Sequence, residues 1–333
     1  MGCDMDINPE MQAIVIGPDG LTATGMPTPH PTGAEILIRV RYAALNRADL
    51  GMASGHKHGS AGGAGAIAGL EAAGDVVALG PDARGYSIGD RVMCSGAGAY
   101  ADYMLTSPER TFAIPSSLTY AEAVCLPVAL TTMHDAIVTN GRLVPGESIL
   151  IQGASSGVGI GGLQIAKMLG AGLVMGSSTS SDRRQRLTDY GADAVIDTSD
   201  AEWPDAVQEL TDGKGVDVIV DQVSASVAND NMKAARVLGR IVNVGRLGGT
   251  HGDFNFDLHA LKRIQYTGVT FRTRSRFEVS QIRDAMLKDL GDRLADFRIP
   301  VDRTFPLAEA AAAQAYMGDN LHFGKILLEV GSN

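Results

Sequence analysis

The segment IQGASSGVGIGGLQIAK, residues 151–167, carries the residue types of a phosphate-binding turn. An apolar strand end leads into a turn rich in Gly, Ala and Ser, and an amphipathic helix pattern follows. Glycines let the backbone bend and approach a pyrophosphate, and the first N–H groups of a helix favour an anion. The glycines do not match G-x-G-x-x-G literally, so a purely structural turn is the alternative. Because the turn opens a series of strand–helix units, the sequence favours dinucleotide binding, with Ser156, Gly157 and Val158 at the cofactor.

The residues after the next predicted strand bear on the kind of dinucleotide. GSSTSSDRR places Ser177, Ser178 and Ser180 ahead of Arg183. NAD sites tend to carry an acidic residue here for the ribose 2′-hydroxyl, whereas serine hydroxyls and an arginine suit a 2′-phosphate. The alternative is that Asp182 and the arginines only form the solvated first turn of a helix. We predict NADPH as the cofactor.

Two later strand ends supply further candidates for cofactor contact. Gly245 and Arg246 follow the fifth strand of the series, and Phe271, Arg272 and Thr273 follow the sixth. Ligands of parallel sheets bind beyond the carboxyl ends of the strands, so we expect these residues to line the cofactor. The arginines that continue from this point fit either phosphate contact or an exposed basic face.

The elements that must position these residues form two groups. From Ser148 onward strand and helix patterns alternate, which predicts a doubly wound parallel sheet. Its strands are SILIQG, AGLVMGS, DAVID, VDVIVDQ, GRIVNVG and IQYTGVTF, and helices are predicted over 157–169, 201–212, 226–237 and 257–262. Ahead of Pro127, strand patterns punctuated by Gly and Pro predict a compact antiparallel, barrel-like unit. The tail 276–333 carries one or two helix patterns and a final strand, and we expect it to return to that unit.

Bulk composition excludes several classes of protein. A chain of 333 residues predicts about two domains, and 45% hydrophobic with 20% charged residues is typical of a soluble globular protein. The net charge of −10 argues against nucleic-acid binding through a positive field. The sequence has no apolar run near the ~20 residues of a membrane span and no signal-peptide pattern, so we expect no membrane partner and a cytoplasmic location. Three scattered cysteines without a CxxC pair argue against a disulfide framework or a cysteine zinc site.

Several motifs spaced along the chain share one family pattern. They are ALNRADL, GLEAAGDVVALG, GDRVM, LPVALTTMHDAI, GASSGVG, GKGVDVIVD and HFGKILLEV, in order from about Met11 to Val330. In these motifs the chain resembles the medium-chain dehydrogenase/reductase superfamily, and within it the zinc-independent quinone oxidoreductase branch. The resemblance implies an α/β fold with a GroES-like β-barrel domain at 1–127 and 272–333 and a doubly wound Rossmann domain at 128–271. It also implies a homodimer.

The same resemblance implies that no catalytic zinc is bound. Zinc-dependent relatives carry Cys where this chain has Asn46 and His where it has Leu70, and neither side chain present here is a good zinc ligand. Glu71 alone cannot supply the about three protein ligands that a catalytic zinc needs. His56 and His58 lie in a Gly-rich loop, where we expect them to be solvated, with adventitious chelation as the alternative.

Without a Lewis acid, the expected reaction is hydride transfer from the nicotinamide to an acceptor that is already electrophilic. We predict a small-molecule quinone or an α,β-unsaturated carbonyl. The alternatives are an enoyl-thioester or alkenal reductase, and an NADPH-binding protein without significant turnover.

The resemblance places Asn46 and Thr132 beside the nicotinamide, as the catalytic candidates. The Asn46 amide would donate a hydrogen bond to a developing oxyanion. A turn-stabilising role for Asn46 and a helix-backbone bond for Thr132 are the alternatives. Lys325 is either a cofactor neighbour or a surface charge. His134 either protonates the product or packs on its helix, and the second is favoured.

Overall fold

The computed structural model describes residues 7–59 and 61–331, which divide into two compact units. The first unit comprises Met1–Val128 and Phe271–Asn333, and the second comprises Ala129–Thr270. Both boundaries lie one residue from the positions predicted, so Phe271 belongs to the first unit.

The strands are β1 Glu10–Gly17, β2 Gly20–Pro27, β3 Ile36–Ala44, β4 Glu71–Leu79, β5 Arg91–Ser95, β6 Tyr103–Thr106, β7 Thr111–Ala113, β8 Ser148–Ile151, β9 Leu173–Ser177, β10 Ala194–Ile196, β11 Val216–Asp221, β12 Ala235–Asn243, β13 Gln265–Gly268, β14 Val301–Pro306 and β15 Lys325–Glu329. The α-helices are α1 Arg47–Ala53, α2 Tyr120–Ala123, α3 Pro127–His134, α4 Gly157–Met168, α5 Ser181–Arg186, α6 Trp203–Leu210, α7 Ala228–Ala234, α8 Phe256–Lys262, α9 Arg276–Leu290 and α10 Ala310–Gly318.

The first unit is built on a seven-stranded sheet in the order β14-β15-β3-β4-β5-β7, with β6 paired to β3, and a separate β1-β2 hairpin. The strand β15 pairs antiparallel with β3, so the C-terminal tail returns to the first unit as expected. Side chains of β3, β4 and β15 fill its core, including Ile36, Ile38, Val76 and Leu328. Apolar, β-branched runs form these strands because such side chains pack well on a pleated, buried surface.

The second unit is a six-stranded parallel sheet in the order β10-β9-β8-β11-β12-β13. The strand numbers fall from β10 to β8 and rise from β11 to β13, so the order reverses between β8 and β11, as in a doubly wound dinucleotide-binding sheet. The central strand β11 is buried along its whole length, which explains its nearly continuous apolar sequence. The predicted fold class is confirmed.

Among the elements that differ from the sequence prediction are α7, β14 and β2. The helix predicted over 226–237 ends at Ala234, and β12 begins at the next residue, because Ala235 pairs with β11 in the sheet. The strand β14 was not predicted, since it lies at a sheet edge and exposes most of its residues, so no apolar pattern marks it. The strand β2 was not predicted either, because it pairs with β1 and is largely exposed, so no apolar pattern marks it.

One helical segment, Tyr120–Asn140, also departs from expectation. Its 21 residues have the length and apolar composition of a membrane span, with a mean hydropathy of 1.3 in the most apolar window. The sequence patterns had indicated no such run. Within this window 72% of the residues are buried inside the protein, as is common for a core helix.

Candidate functional site

The turn between β8 and α4 has the conformation that a phosphate-binding turn requires. Gly153 adopts a φ of +67°, in the left-handed region that favours glycine. A Cβ on Gly159 would lie 2.6 Å from Cα of Ala154, so only glycine lets α4 start this close to the turn. In the described parts of the chain, the backbone N–H groups of Gly157 and Val158 bond to no protein acceptor. These donors at the start of a 12-residue helix fit an anionic group.

Side chains from neighbouring strands hold this turn in place. Gln222 donates from Nε2 to the Gln152 carbonyl at 3.0 Å and accepts from the Ser156 hydroxyl at 3.2 Å. The Ser177 hydroxyl donates to Oε1 of Gln152 at 2.5 Å and accepts from the N–H of Gly153 at 3.1 Å. Because Gln222 follows β11, it joins the ends of the two strands where the order reverses. These four hydrogen bonds fix the conformation of the turn.

The residues predicted to hold a 2′-phosphate lie together after β9 but have different surroundings. Ser177 is buried, and its hydroxyl is hydrogen-bonded to Gln152 in the turn. Ser178 accepts from the N–H of Ser180 at 3.3 Å, and Ser180 caps α5 by accepting from the N–H of Arg183 at 3.5 Å. Arg184 forms a 2.7 Å ion pair with Asp197. Ser178 is buried as well, whereas Ser180 and Arg183 are half-buried, and all of them remain predicted contacts of a 2′-phosphate.

The loop after β12 lies against the loop after β11. A Cβ on Gly245 would come within 2.4 Å of the Gln222 carbonyl oxygen, so this approach of two backbones requires glycine. Arg246 is exposed and borders a cavity of about 300 Å³ that Ser224 and Asn243 also line. Both Gly245 and Arg246 thus lie at the carboxyl edge of the sheet, where they were predicted.

Ser224 occupies a backbone conformation that favours glycine, with φ +72° and ψ −130°. It is held there by three contacts: its N–H donates to Oδ1 of Asp221 at 2.8 Å, its carbonyl accepts from the N–H of Val227 at 2.8 Å, and its hydroxyl accepts from the Asn243 amide. Burial raises the pKa of Asp221 despite these bonds. The strain is local to the end of β11, beside the predicted cofactor edge.

The remaining second-unit candidates lie on α3. Thr132 is half-buried on this helix, and His134 is completely buried, which agrees with a packing role for the histidine. Phe271, Arg272 and Thr273 follow β13 but belong to the first unit, where Arg272 and Thr273 are exposed.

The first unit contains a buried polar cluster, which we define as Asn46, Glu71 and Lys325. The Lys325 ammonium donates to Oε2 of Glu71 at 2.6 Å and to Oδ1 of Asn46 at 2.9 Å. The Asn46 amide donates to the same Glu71 oxygen at 3.1 Å and to the Ala44 carbonyl at 3.3 Å. Lys325 is only 3% exposed and Glu71 is 0% exposed. The interpretation of Lys325 as a surface charge is wrong, because β15 carries it into the core beside β3.

A second pair of buried groups adjoins the cluster. Oδ2 of Asp49 accepts from the backbone N–H of Asn46 and from the Tyr100 hydroxyl, both at 2.8 Å. Burial raises the pKa of Asp49 to about 7, and the same cause raises the pKa of Tyr100 well above its ordinary value. Asn46 is thus fixed through its backbone by Asp49 and through its side chain by Glu71 and Lys325.

The sequence patterns did not reveal Asp49 and Tyr100, and they marked Glu71 only as insufficient by itself to hold a catalytic zinc. The one available signal was a charged residue at an otherwise apolar strand start, seen in GLEAAG and in FGKILL. Among residues 7–59 and 61–331, no group of three or more His, Cys, Asp and Glu side chains is arranged to hold a metal ion. His56 is exposed, but His58 is half-buried, contrary to the expectation that both are solvated.

Comparisons with known proteins agree with this architecture. Residues 32–116 match the alcohol dehydrogenase GroES-like domain family, and residues 157–286 match the zinc-binding dehydrogenase family. A phenolphthiocerol/phthiocerol polyketide synthase chain of Mycobacterium tuberculosis is 30% identical over 315 residues, which are 94% of this chain and 14% of the synthase chain. The crystal structure of AibC is 28% identical, with a TM-score of 0.82 and 96% of each chain covered. A mycobacterial quinone oxidoreductase is 25% identical, with a TM-score of 0.81, over 96% of this chain and 99% of its own.

The matches cover parts of both units, and the strand order of the second unit is that of a dinucleotide-binding sheet. The chain belongs to the medium-chain dehydrogenase/reductase superfamily, as its motifs suggested. Its second unit has the nucleotide-binding fold of that superfamily. The chain spans 14% of the length of the polyketide synthase chain that it matches.

Proposed function

We propose that the protein is an NADPH-dependent, metal-free reductase of quinones or α,β-unsaturated carbonyls that acts by hydride transfer. The observation that carries the proposal is the glycine turn after β8, which is braced by Gln222 and Ser177 where the strand order reverses. Dinucleotides bind beyond the carboxyl ends of the strands at such a position. Membership of an oxidoreductase superfamily supports a redox role for the bound nucleotide.

The residues at this edge of the sheet would contact different parts of the cofactor. The N–H groups of Gly157 and Val158 would hold the pyrophosphate, while Ser178, Ser180 and Arg183 would hold the 2′-phosphate. Gly245 and Arg246 would border the cofactor from the end of β12. Arg272 and Thr273 remain proposed cofactor contacts. When bound, the cofactor supplies the hydride.

We propose that the polar cluster of Asn46, Glu71 and Lys325 binds the substrate that accepts the hydride. Both amide hydrogens of Asn46 are engaged by Glu71 and Ala44, so the expected donation from this amide to an oxyanion has no free hydrogen, and Asn46 is proposed to position Lys325 through Oδ1 instead. The Lys325 ammonium uses two of its three N–H groups within the described residues, which leaves one for an acceptor or ribose oxygen. A positive charge held in a water-poor site stabilises negative charge that develops during hydride transfer.

The test is steady-state oxidation of NADPH, with NADH in parallel, against quinones, enones and enoyl thioesters, with and without a chelator. We expect turnover that the chelator does not change and a preference for NADPH. Arg183→Ala should raise KM for NADPH and leave KM for NADH unchanged. Arg186→Ala, an exposed arginine on the same helix, is the matched control and should change neither.

Two results would overturn parts of the proposal. NADPH binding without turnover of any acceptor would favour the alternative of a binding protein. Equal use of NADH, with no effect of Arg183→Ala, would remove the assignment of the serine–arginine segment to a 2′-phosphate.

We also propose that the protein is a homodimer, as the family resemblance implies, and that it is cytoplasmic. The strand β13 supports edge-to-edge pairing, because it lies at one edge of the parallel sheet and exposes Gln265 and Gly268. Analytical ultracentrifugation tests the oligomeric state, and a monomer at micromolar concentration would refute it.

A further inference from the structure

The turn between β8 and α4 has few side chains that could fix its own conformation. Its residues 153–156 read GASS, and Gly157 and Gly159 follow in the first turn of α4. A glycine-rich segment loses much conformational freedom when it is held in one shape, and a ligand that must impose that shape binds more weakly. The position of the backbone donors at Gly157 and Val158 therefore depends on contacts from outside the turn.

The side chain of Gln222 contacts both ends of this turn. Its Nε2 donates to the carbonyl oxygens of Gln152 at 3.0 Å and Gly153 at 3.3 Å. Its Oε1 accepts from the Ser156 hydroxyl at 3.2 Å, and Oγ of Ser156 accepts from the N–H of Gly159 at 3.0 Å. The amide of Gln222 thus joins the start of the turn to the capped first turn of the helix.

Gln222 is itself held in place. A Cβ on Gly153 would be 3.6 Å from Cβ of Gln222, so the side chain packs against the turn, and Gln222 is only 7% exposed. Its backbone carbonyl accepts from the N–H of Leu247 at 3.2 Å, and the carbonyl of the preceding Asp221 accepts from the N–H of Val244 at 2.8 Å. The loop after β12 therefore fixes the residue that braces the turn.

A second buried amide, that of Gln152, has partners that do not involve Gln222. Gln152 is 0% exposed, and its Nε2 donates to Oδ1 of Asn231 at 2.8 Å. Its Oε1 accepts from the Ser177 hydroxyl at 2.5 Å. Replacement of the Gln222 side chain leaves these two bonds intact, so we expect the sheet and the start of the turn to keep their fold.

We propose that Gln222 is a positioning residue for the dinucleotide, which holds the turn so that the N–H groups of Gly157 and Val158 face the pyrophosphate. This inference rests on the proposed function and adds a residue that acts through the turn. Its hydrogen bonds order the glycine segment before binding, so the ligand does not have to order it. NADPH and NADH carry the same pyrophosphate, so Gln222 should contribute equally to the affinity for both. Arg183, in contrast, is assigned to the 2′-phosphate that only NADPH carries.

The experiment measures the Kd of NADPH and of NADH by calorimetry, and kcat at saturating NADPH. Methionine has a similar length to glutamine but makes none of the three hydrogen bonds of the Gln222 amide. Losing the net contribution of one or two hydrogen bonds predicts that Gln222→Met binds both cofactors about tenfold more weakly. Because the effect lies in binding, kcat at saturating NADPH should stay as in the native protein.

Gln222→Glu separates positioning by hydrogen bonds from a role of side-chain size. Glutamate has the shape of glutamine and can still accept from Ser156, but a carboxylate cannot donate to the carbonyls of Gln152 and Gly153. It also adds a negative charge beside a turn that binds an anion. At about pH 8, well above the ordinary glutamate pKa of about 4.3, we expect Gln222→Glu to bind both cofactors more weakly than Gln222→Met. A role of size alone predicts the opposite order.

Gln208→Met is the matched control. Gln208 lies on α6 of the same unit, and its Nε2 also donates to two backbone carbonyls, those of Lys233 at 2.8 Å and Ala234 at 3.2 Å. The same substitution there removes the same kind of bond away from the turn. It should leave both Kd values unchanged, and urea titration shows whether each variant is folded.

The outcomes separate this inference from the proposed function. An equal loss of affinity for NADPH and NADH in Gln222→Met, with native affinity in Gln208→Met, supports the inference. Native affinity in folded Gln222→Met, or a loss confined to NADPH, overturns it. If Gln222→Met does not fold, Gln222→Glu decides: weaker binding of both cofactors supports the inference, and native affinity overturns it. Binding without turnover of any acceptor removes the reductase, but the Kd values still decide on Gln222. A native protein that binds neither dinucleotide overturns both proposals.

Discussion

Replacing Lys325 with Met should destabilise the first unit strongly. Methionine has a similar length but no charge, so Glu71 would remain as a carboxylate that is 0% exposed and has lost its ionic partner. Breaking a buried ion pair in this way costs about 3–5 kcal/mol. Oδ1 of Asn46 would lose its donor as well, but the two losses share one ammonium and should not add. We expect a free energy of unfolding that is about 3–5 kcal/mol lower.

The double variant Lys325→Met with Glu71→Gln gives the decisive comparison. The Val128 N–H donates to Oε1 of Glu71 at 2.6 Å, and the amide oxygen that Glu71→Gln introduces can still accept this hydrogen bond. In the double variant neither position 71 nor position 325 carries a buried charge. Because neutral replacement of both partners of a buried pair is often tolerated, the double variant should be more stable than Lys325→Met alone. Lys233→Met is the control. Its ammonium pairs with Asp230 on the surface, where its side chain is 59% exposed, and should cost less than about 1 kcal/mol.

The assay is urea unfolding followed by two probes. The single tryptophan, Trp203, lies in the second unit, so its fluorescence reports that unit, whereas far-UV circular dichroism reports both. We expect Lys325→Met to shift the dichroism transition to lower urea. A loss of less than about 1 kcal/mol, or a double variant no more stable than the single one, would refute the argument that Lys325 compensates a buried Glu71 carboxylate.

Three further predictions test other parts of the structure. Ser224→Gly should raise the free energy of unfolding, measured by urea titration, by up to about 1 kcal/mol. Glycine relieves the strain of the positive φ, and the loss of the hydroxyl bond to Asn243 offsets part of that gain. Destabilisation by this change would show that the residue is not strained. Gly159→Ala should cost about 1–3 kcal/mol and weaken NADPH binding measured by calorimetry, since its Cβ would lie 2.6 Å from Ala154; native stability and affinity would contradict the close approach. Asp49 has a pKa raised to about 7 from 3.8, so its folded form binds the proton more tightly, and its contribution to stability falls as the pH rises from about 4 to 7. Asp49→Asn should flatten that part of the pH profile of stability, and an unchanged slope would exclude Asp49 as its source.

The sequence by itself determined the elements that depend on local patterns. Alternating apolar runs predicted the strands, and the spacing of strand and helix patterns predicted the doubly wound sheet that the structure confirms. The turn at Gly153 was also predictable, since a left-handed backbone and a close helix start both require glycine. Motifs along the chain were enough to indicate the superfamily, and the matches to known proteins confirm it.

Local sequence patterns did not predict the conformation of residues whose backbone is set by contacts with other segments of the chain. Ala235 belongs to a helical pattern by composition, but pairing with β11 makes it the first residue of β12. Ser224 gives no sign in sequence that it adopts a positive φ, because the contacts that hold it come from Asp221, Val227 and Asn243. Propensity is a weak guide wherever tertiary contacts outweigh it.

The polar cluster proposed to act on the substrate was decided by tertiary structure alone. Lys325 and Glu71 are 254 residues apart in the chain, and only the antiparallel pairing of β15 with β3 places the ammonium beside the carboxylate. An isolated lysine or arginine in a sequence is most often a surface charge, and its chemistry changes when folding removes water and brings a distant partner into contact.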